Sequence, residues 1–408
     1  MKRRIELVSP AGDWSSLIAA VQSGADSVYF GVKDINLRRL ADNFDVLEIK
    51  KIISFLHERD KKGYLALNSI VMNSDLTRIN RILKEAKSAR VDGVILWDMA
   101  VFSLAEKAGL PVHLSTQASI SNSEAAAFFA ARGVKRIILA RECTLEDIKE
   151  IIGHIKGINL DCEVEVFIHG AMCISISGRC FLSQHTYGKS ANRGYCLQPC
   201  RREFQIKDSQ DDSEYIIGRD YLLSSKDLCT IDFIDTLIEA GIRAFKIEGR
   251  MRSPEYSKVV TSVYRRAIDS YFSNTLSQNE KKSFKEELTA VYNRGFCNGF
   301  YLGPSRDWQS KGIEQTHKKI FLGEVRKVYK RIEVAEILLQ NGSLKKGEDI
   351  LFIGKKTPAS VVKAEQLQQN HRFVEKADRG SCVGVKIPFT VKPKDKVFRW
   401  RKKGDKIL

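Results

Sequence analysis

IELVSPAGDWSSLIAAVQSGADSVYFG, residues 5–31, reads as one complete strand–helix–strand unit. IELVSP (5–10) is an apolar run of strand length, WSSLIAAVQSG (14–24) is a helix closed by Gly24, and DSVYFG (26–31) is a second strand. Two strands joined through a helix lie parallel. The rhythm continues with a helix around LEIKKIISFLHERD (47–60) and strands at YLALNS (64–69), GVILWD (93–98), VHLSTQ (112–117), RIILAR (136–141), VEVFIHG (164–170) and RAFKIEG (243–249), before a helix starting near Pro254. This count within about 270 residues predicts an α/β fold, a (β/α)8 TIM-like barrel, with an open doubly wound sheet as the alternative.

Polar residues stand at or just after nearly every predicted strand end: Pro10-Ala11-Gly12, Gly31, Asn68, Asp98, Thr116-Gln117, Arg141-Glu142, His169-Gly170 and Glu248-Gly249-Arg250. A barrel builds its active site from these ends; Gly and polar residues also mark ordinary strand-to-helix turns. The interval 171–242 breaks the rhythm with a cysteine cluster and a predicted hairpin (REFQI to EYIIG across SQDDS), and reads as an insertion on the catalytic face. Beyond about residue 310 the pattern becomes short alternating strands: KIFLGEVRKV, RIEVAEILL, EDILFIG, SCVGVKI and DKVFRW. The expected organisation is a catalytic barrel over 1–310 with the insertion at 171–242, followed by a small C-terminal antiparallel β-barrel over 316–408.

Hydrophobic residues make up 43% and charged residues 29% of the 408, values of an ordinary globular protein. MKRRIELVSPAGD turns polar before any apolar run reaches signal length, and no stretch approaches the length of a transmembrane helix, so a cytoplasmic protein without membrane insertion is expected. The net charge is +17, and its placement is uneven. From Thr316 onward there are 23 Lys and Arg against 10 Asp and Glu; the preceding 315 residues hold 44 against 40. A basic module of that kind attracts polyanions, nucleic acid first and anionic membrane second, or is simply soluble and lysine-rich. Phe373, Phe398 and Trp400 could stack on bases there or fill its core.

Nine cysteines in a reducing compartment point to metal or redox chemistry more than to disulfides. Cys173, Cys180, Cys196 and Cys200 follow the spacing C-x6-C-x15-C-x3-C. Only the last pair suits a zinc knuckle, whereas an iron–sulfur cluster accepts wider spacing if four thiolates converge. Spacing leaves iron–sulfur, zinc and unrelated thiols open. Cys143, Cys162, Cys229, Cys297 and Cys382 read as isolated small apolar residues, with Cys229 a reserve ligand opening the helix after the insertion.

EVFIHGAMCISISGRCFLS (165–183) resembles the signature of the collagenase-like peptidase family (family U, number thirty-two), and the resemblance extends through SPAGD, GADSVYFG, STQAS, RGYCLQPCRR and KIEGRMRSPEY. The β-rich tail is similar to the second domain of translation elongation factors. The family takes its name from a protease activity, but its better-understood bacterial members are oxygen-independent hydroxylation proteins. Some act on RNA pyrimidines, including the tRNA wobble uridine, with prephenate implicated; others act in pairs on the ubiquinone ring. The resemblance implies a 4Fe-4S cluster on Cys173, Cys180, Cys196 and Cys200. Ubiquinone-type relatives carry the fourth ligand near the position of Ile217, where this chain has no cysteine, so the RNA-modifying pattern fits better. The expected activity is hydroxylation of a tRNA uridine to 5-hydroxyuridine, with tRNA, a small carboxylated co-substrate such as prephenate and a partner subunit of the same family as partners. Peptide hydrolysis and ribosomal RNA or quinone-ring hydroxylation are the alternatives. Arg38, Arg141, Arg179, Lys246 and Arg250 are candidates to clamp a carboxylate. Glu142, Glu165 and Glu248 are candidate acid–base groups, Gln117 could orient a pyrimidine edge, and His169 is the histidine placed to serve Cys173 in a peptidase. Glu248 and Arg250 head the catalytic set. Arginines could instead sit in salt bridges, and Glu165 and Lys246 could fill the barrel interior.

Overall fold

The computed structural model describes residues 5–33, 35–202, 205–207, 214–216, 221–303 and 309–404. Strands β1 (Glu6–Ala11), β2 (Ser27–Gly31), β3 (Lys62–Ala66), β4 (Gly93–Leu96), β5 (Val112–Leu114), β6 (Arg136–Ile138) and β7 (Glu163–Ala171) pair in sequence order. The strand Ala244–Ile247 pairs in parallel with both β7 and β1, which closes an eight-stranded barrel. All eight predicted strands are present, and the open sheet is excluded by that closure.

The intervening helices form where side chains allow them to start and bury one face. Asp13 caps Trp14–Gln22 by accepting from the Ser16 N–H at 2.6 Å, and Thr144 and Asp147 form a reciprocal capping box on Leu145–Gly157. Leu76–Ala89 buries Ile79, Ile82, Leu83 and Ala86, the i, i+3, i+4, i+7 stripe of an amphipathic helix.

Inside the barrel, β-alternation aims Glu6, Tyr64, Arg136, Glu165 and Lys246 at one another. Arg136 reaches Glu6 at 2.8 Å, Glu163 at 2.6 Å and Glu165 at 3.2 Å, while Lys246 Nζ lies 2.6 Å from Glu165. Tyr64 donates to Glu6 at 2.6 Å and packs against His113 with ring centroids 4.5 Å apart and the rings tilted by 56°. Barrels of this type are usually filled by branched apolar residues; here an ion network fills the lower half.

The insertion folds back over the barrel's carboxyl end. Asn192 accepts the Ile70 N–H at 2.9 Å, Gly194 accepts the Arg39 N–H at 3.2 Å, and Arg193 pairs with Asp75 at 2.6 Å. A Cβ on Gly194 would lie 2.2 Å from the Asn36 carbonyl oxygen, so only glycine permits that approach. The predicted hairpin pairs Gln205–Lys207 with Glu214–Ile216; its turn, and the position of Ile217, lie outside the described residues.

His317–Tyr329, Val334–Leu339, Asp349–Ile353, Cys382–Lys386 and Lys396–Lys402 belong to an eight-stranded antiparallel sheet with its own apolar core around Leu322, Ile337 and Phe352. Its ladder runs from one edge strand to another, a half-barrel in place of a closed ring among the described residues. It docks on the barrel through Lys319–Glu255 at 2.6 Å, Lys258 Nζ to Ser360 Oγ at 2.9 Å and Ser15 Oγ to the Gly354 carbonyl at 3.1 Å. Among the described residues no helix is long and apolar enough to cross a membrane.

The interior network generates a prediction. Glu165→Ala leaves Arg136 and Lys246 facing one another without their shared carboxylate and should cost about 3–5 kcal/mol in urea unfolding, whereas the double substitution Glu165→Leu with Lys246→Met should cost much less. Equal losses in the two variants would show that the ion pair itself is not what the interior depends on.

Candidate active site at the barrel mouth

A cavity of about 280 Å³ occupies the carboxyl end of the barrel and is roofed by the insertion. Tyr29, Ala66, Ile95, Ile138, Phe167 and Lys246 line it from the strands, and Cys173, Cys180, Cys196 and Cys200 line it from the roof. All four cysteines are half-buried and free. The Cys200 thiol is pushed up by burial, with Arg201 opposing and the thiols of Cys173, Cys196 and Cys180 adding to the rise, so the four sulfurs share one electrostatic neighbourhood. The Leu182 N–H donates to Cys180 Sγ at 3.3 Å. Among the described residues no three His, Cys, Asp or Glu side chains are gathered tightly enough to hold a single metal ion. The four cysteines line one cavity without forming a compact single-metal site among the described residues.

Glu248 lines the same cavity. Arg38 Nε and Nη2 donate to its Oε1 at 3.3 and 3.2 Å, and Arg141 Nη2 lies 3.5 Å from its Oε2. Burial pushes this carboxyl up, but Arg38, Arg141 and Arg250 outweigh burial and hold it below the usual range. Arg250 is buried on Asn36 Oδ1 at 3.1 Å, and burial pushes it down to about 10, so it stays cationic at neutral pH. Lys246, on the floor, is lowered by burial against the opposing charge of Glu165. Arg141 also donates to the Ala171 carbonyl and lies 4.0 Å over the Phe167 ring. Five cations and two carboxylates line the cavity, which favours an anionic ligand.

Gln117 also lines it. Its Oε1 accepts from Asn68 Nδ2 at 3.2 Å and from Ser115 Oγ, which leaves the amide N–H2 as a donor without a partner among the described residues. Glu142 accepts the Ser177 N–H at 2.9 Å and its hydroxyl at 3.3 Å, tying the roof to the end of β6. Arg179 is exposed on the roof, where it donates to Ser119 Oγ at 2.8 Å, and is not part of the cavity lining. Glu165 lies beneath Lys246, outside the lining.

Two expectations are corrected. His169 does not face the cavity: the pairing of β7 with the closing strand shifts register between Phe167–Lys246 and His169–Ile247, so Ile168 is an extra residue and the bulge turns His169 outward. Its ring packs between Tyr256, Tyr264 and Phe296, and Tyr264 lies 3.3 Å from its Nδ1. Cys229 does not open a helix; it ends the short strand Asp227–Cys229, buried against Tyr264, with its thiol pushed up to about 11 by burial. Of the C-terminal aromatics, Phe398 packs on Phe321, Trp400 packs against the barrel, and Phe373 is exposed. Sequence reasoning missed Asn36, Tyr29 and Arg201. Arg201 donates to the Met172 carbonyl and to Ser224 Oγ at 2.9 Å behind the thiols, and its adjacency to Cys200 was the available signal.

Residues 12–311 match the model of Peptidase family U32. The chain belongs to that family. This U32 protein is 42% identical over 97% of its length to an uncharacterized protease of Methanocaldococcus jannaschii, of which 98% is covered. It is 37% identical to a collagenase of Porphyromonas gingivalis, covering 98% of this chain and 99% of that one. It is 35% identical to tRNA hydroxylation protein P1 of Bacillus subtilis, covering 86% of this chain and 84% of that one.

His169 sets a pH test. Burial lowers its folded pKa to about 3, with Arg252 contributing, against about 6.5 unfolded. The neutral ring thus contributes stability above pH 6.5 that is lost as pH falls from 6.5 toward 3, up to roughly 4 kcal/mol. His169→Phe should flatten the stability profile over that window by chemical denaturation; parallel profiles for the two proteins would sink the assignment.

Proposed function

We propose that this U32 protein promotes oxygen-independent hydroxylation of a pyrimidine in RNA, a tRNA uridine at the wobble position, and that Cys173, Cys180, Cys196 and Cys200 hold a 4Fe-4S cluster. One observation carries the reading: four free thiols and a cationic wall line the same cavity at the catalytic end of the barrel. The relative called a tRNA hydroxylation protein supports RNA as the substrate class. Bound there, the cluster would accept or relay electrons at the mouth of the barrel, since exchanging a ring C–H for C–OH removes two electrons from the pyrimidine.

The chain's own residues do the rest. Arg38, Arg141 and Arg250 receive a small carboxylated co-substrate such as prephenate, sharing their donors with Glu248. Glu248, held ionised, accepts a proton. The free N–H2 of Gln117 donates to a pyrimidine carbonyl, and the C-terminal sheet, whose cations exceed its acids, meets phosphate. Such a protein would work in the cytoplasm. The collagenase relative raises peptide hydrolysis as the second reading. A cysteine peptidase needs a base beside its thiol, and no histidine is among the residues lining this cavity.

Nucleosides from total tRNA, compared by mass spectrometry between the native host and a strain lacking the gene, test the activity. The expected result is loss of 5-hydroxyuridine and its derivatives, restored by the intact gene and not by Cys173→Ala. Anaerobically purified protein should carry about four iron and four sulfide per chain, reduced in Cys180→Ala. An unchanged nucleoside profile would remove the tRNA reading, and iron-free protein with bound zinc would remove the cluster.

A further inference from the structure

The roof of the cavity has a composition unlike the rest of the chain. From Ala171 to Arg202 it holds five Lys and Arg and no Asp or Glu. Two of the five are engaged in the fold, Arg193 with Asp75 and Arg201 with the Met172 carbonyl. The other three, Arg179, Lys189 and Arg202, are exposed and have no carboxylate partner among the described residues. Arg179 bonds Ser119, while Lys189 and Arg202 lie 6.0 and 5.2 Å from the ring centres of Tyr195 and Tyr187.

The same segment presents Phe181 to solvent at 76% exposure and Ile176 at 66%. Phe181 stands between Cys180 and Leu182, both of which line the cavity, while its own ring is in solvent and outside the lining. A lone exposed phenylalanine needs no explanation. One flanked on both sides by residues that line the cavity, on an acid-free cationic segment, combines the two features that bind single-stranded nucleic acid: charge for the phosphates and a flat apolar face for a base. The cavity beneath is at the small end for ligand sites, which suits one ring and excludes a duplex.

We propose that the roof segment is the docking surface for an unpaired stretch of RNA, with Phe181 as the platform on which the base next to the target stacks while the target enters the cavity. The proposal rests on the reading of RNA as the substrate and names the surface that selects an unpaired nucleotide. Arg179, Lys189 and Arg202 meet the flanking phosphates. The C-terminal sheet supplies affinity that does not distinguish paired from unpaired RNA.

The test uses the full chain with two probes, a tRNA-type anticodon stem–loop and a fully paired RNA duplex of equal length. Phe181→Ala should weaken stem–loop binding about tenfold or more and leave duplex binding unchanged. Phe181→Trp should retain binding and show fluorescence quenching by the stem–loop beyond that of the four native tryptophans. The ring is exposed, so both variants should melt as the parent does; should the alanine variant melt early, the tryptophan quenching still decides. Unchanged affinity without quenching overturns the surface and leaves RNA as substrate. No RNA binding by the unsubstituted protein overturns both. Loss of binding to a collagen-type peptide, with RNA binding unaffected, assigns the rim to a peptide and overturns the proposal.

Discussion

The architecture of the mouth depends on one carboxylate. Glu248, at the end of the closing strand, is buried where a charge is unfavourable, and it stays ionised because guanidinium groups converge on it from separate parts of the barrel. Arg38 comes from the loop after β2 and Arg141 from the residues after β6. Each of these arms also reaches the roof. Arg141 donates to the Ala171 carbonyl at its root, and the residue after Arg38 donates its N–H to Gly194. Neutralising Glu248 would therefore loosen Arg38 and Arg141 together, since these two arginines share the same anion.

The ion network below has the same logic at greater depth. A barrel interior packed with branched residues would be at least as stable, because desolvating Arg136, Glu165 and Lys246 offsets most of their mutual attraction. The network does something an apolar filling cannot: it holds a lysine amine at the cavity floor. Burial alone disfavours the Lys246 cation, and Glu165 at 2.6 Å is the opposing charge. Glu165 is in turn fixed by Arg136, which is anchored on Glu6 and Glu163. The polar interior is thus a scaffold for one side chain that faces the ligand space.

Much of this was legible in the sequence, and the exceptions have physical causes. Each barrel strand is an apolar run of distinct length, so periodicity finds all eight, and strand-end positions correctly bring Gln117, Arg141, Glu248 and Arg250 to one cavity. Alternation alone aims His169 the same way as Phe167; only the partner strand's register reveals the bulge that reverses it. Gly170, with φ at +107° and no room for a Cβ beside the Glu248 carbonyl, marks that irregularity, but a glycine in a strand signals a bulge without saying which residue turns. The way the roof closes was not legible, because it depends on contacts between residues more than a hundred positions apart, such as Ile70 with Asn192.

The docking of the C-terminal sheet adds a constraint on what can reach the thiols. Ser15 and Glu255 lie in the first turns of the helices that follow β1 and the closing strand, with Lys258 at the start of the second turn, and first turns sit at the carboxyl end of a β/α barrel. The sheet is fastened to those turns, so it stands beside the mouth and not beneath the barrel. A small ligand needs none of this, because the wall formed by Arg38, Arg141 and Arg250 is complete within the barrel. The module carries more than half of the chain's excess positive charge, and charge of that sign attracts polyanions. Under the proposed RNA reading, that charge beside the mouth would hold the part of the substrate that extends beyond the cavity.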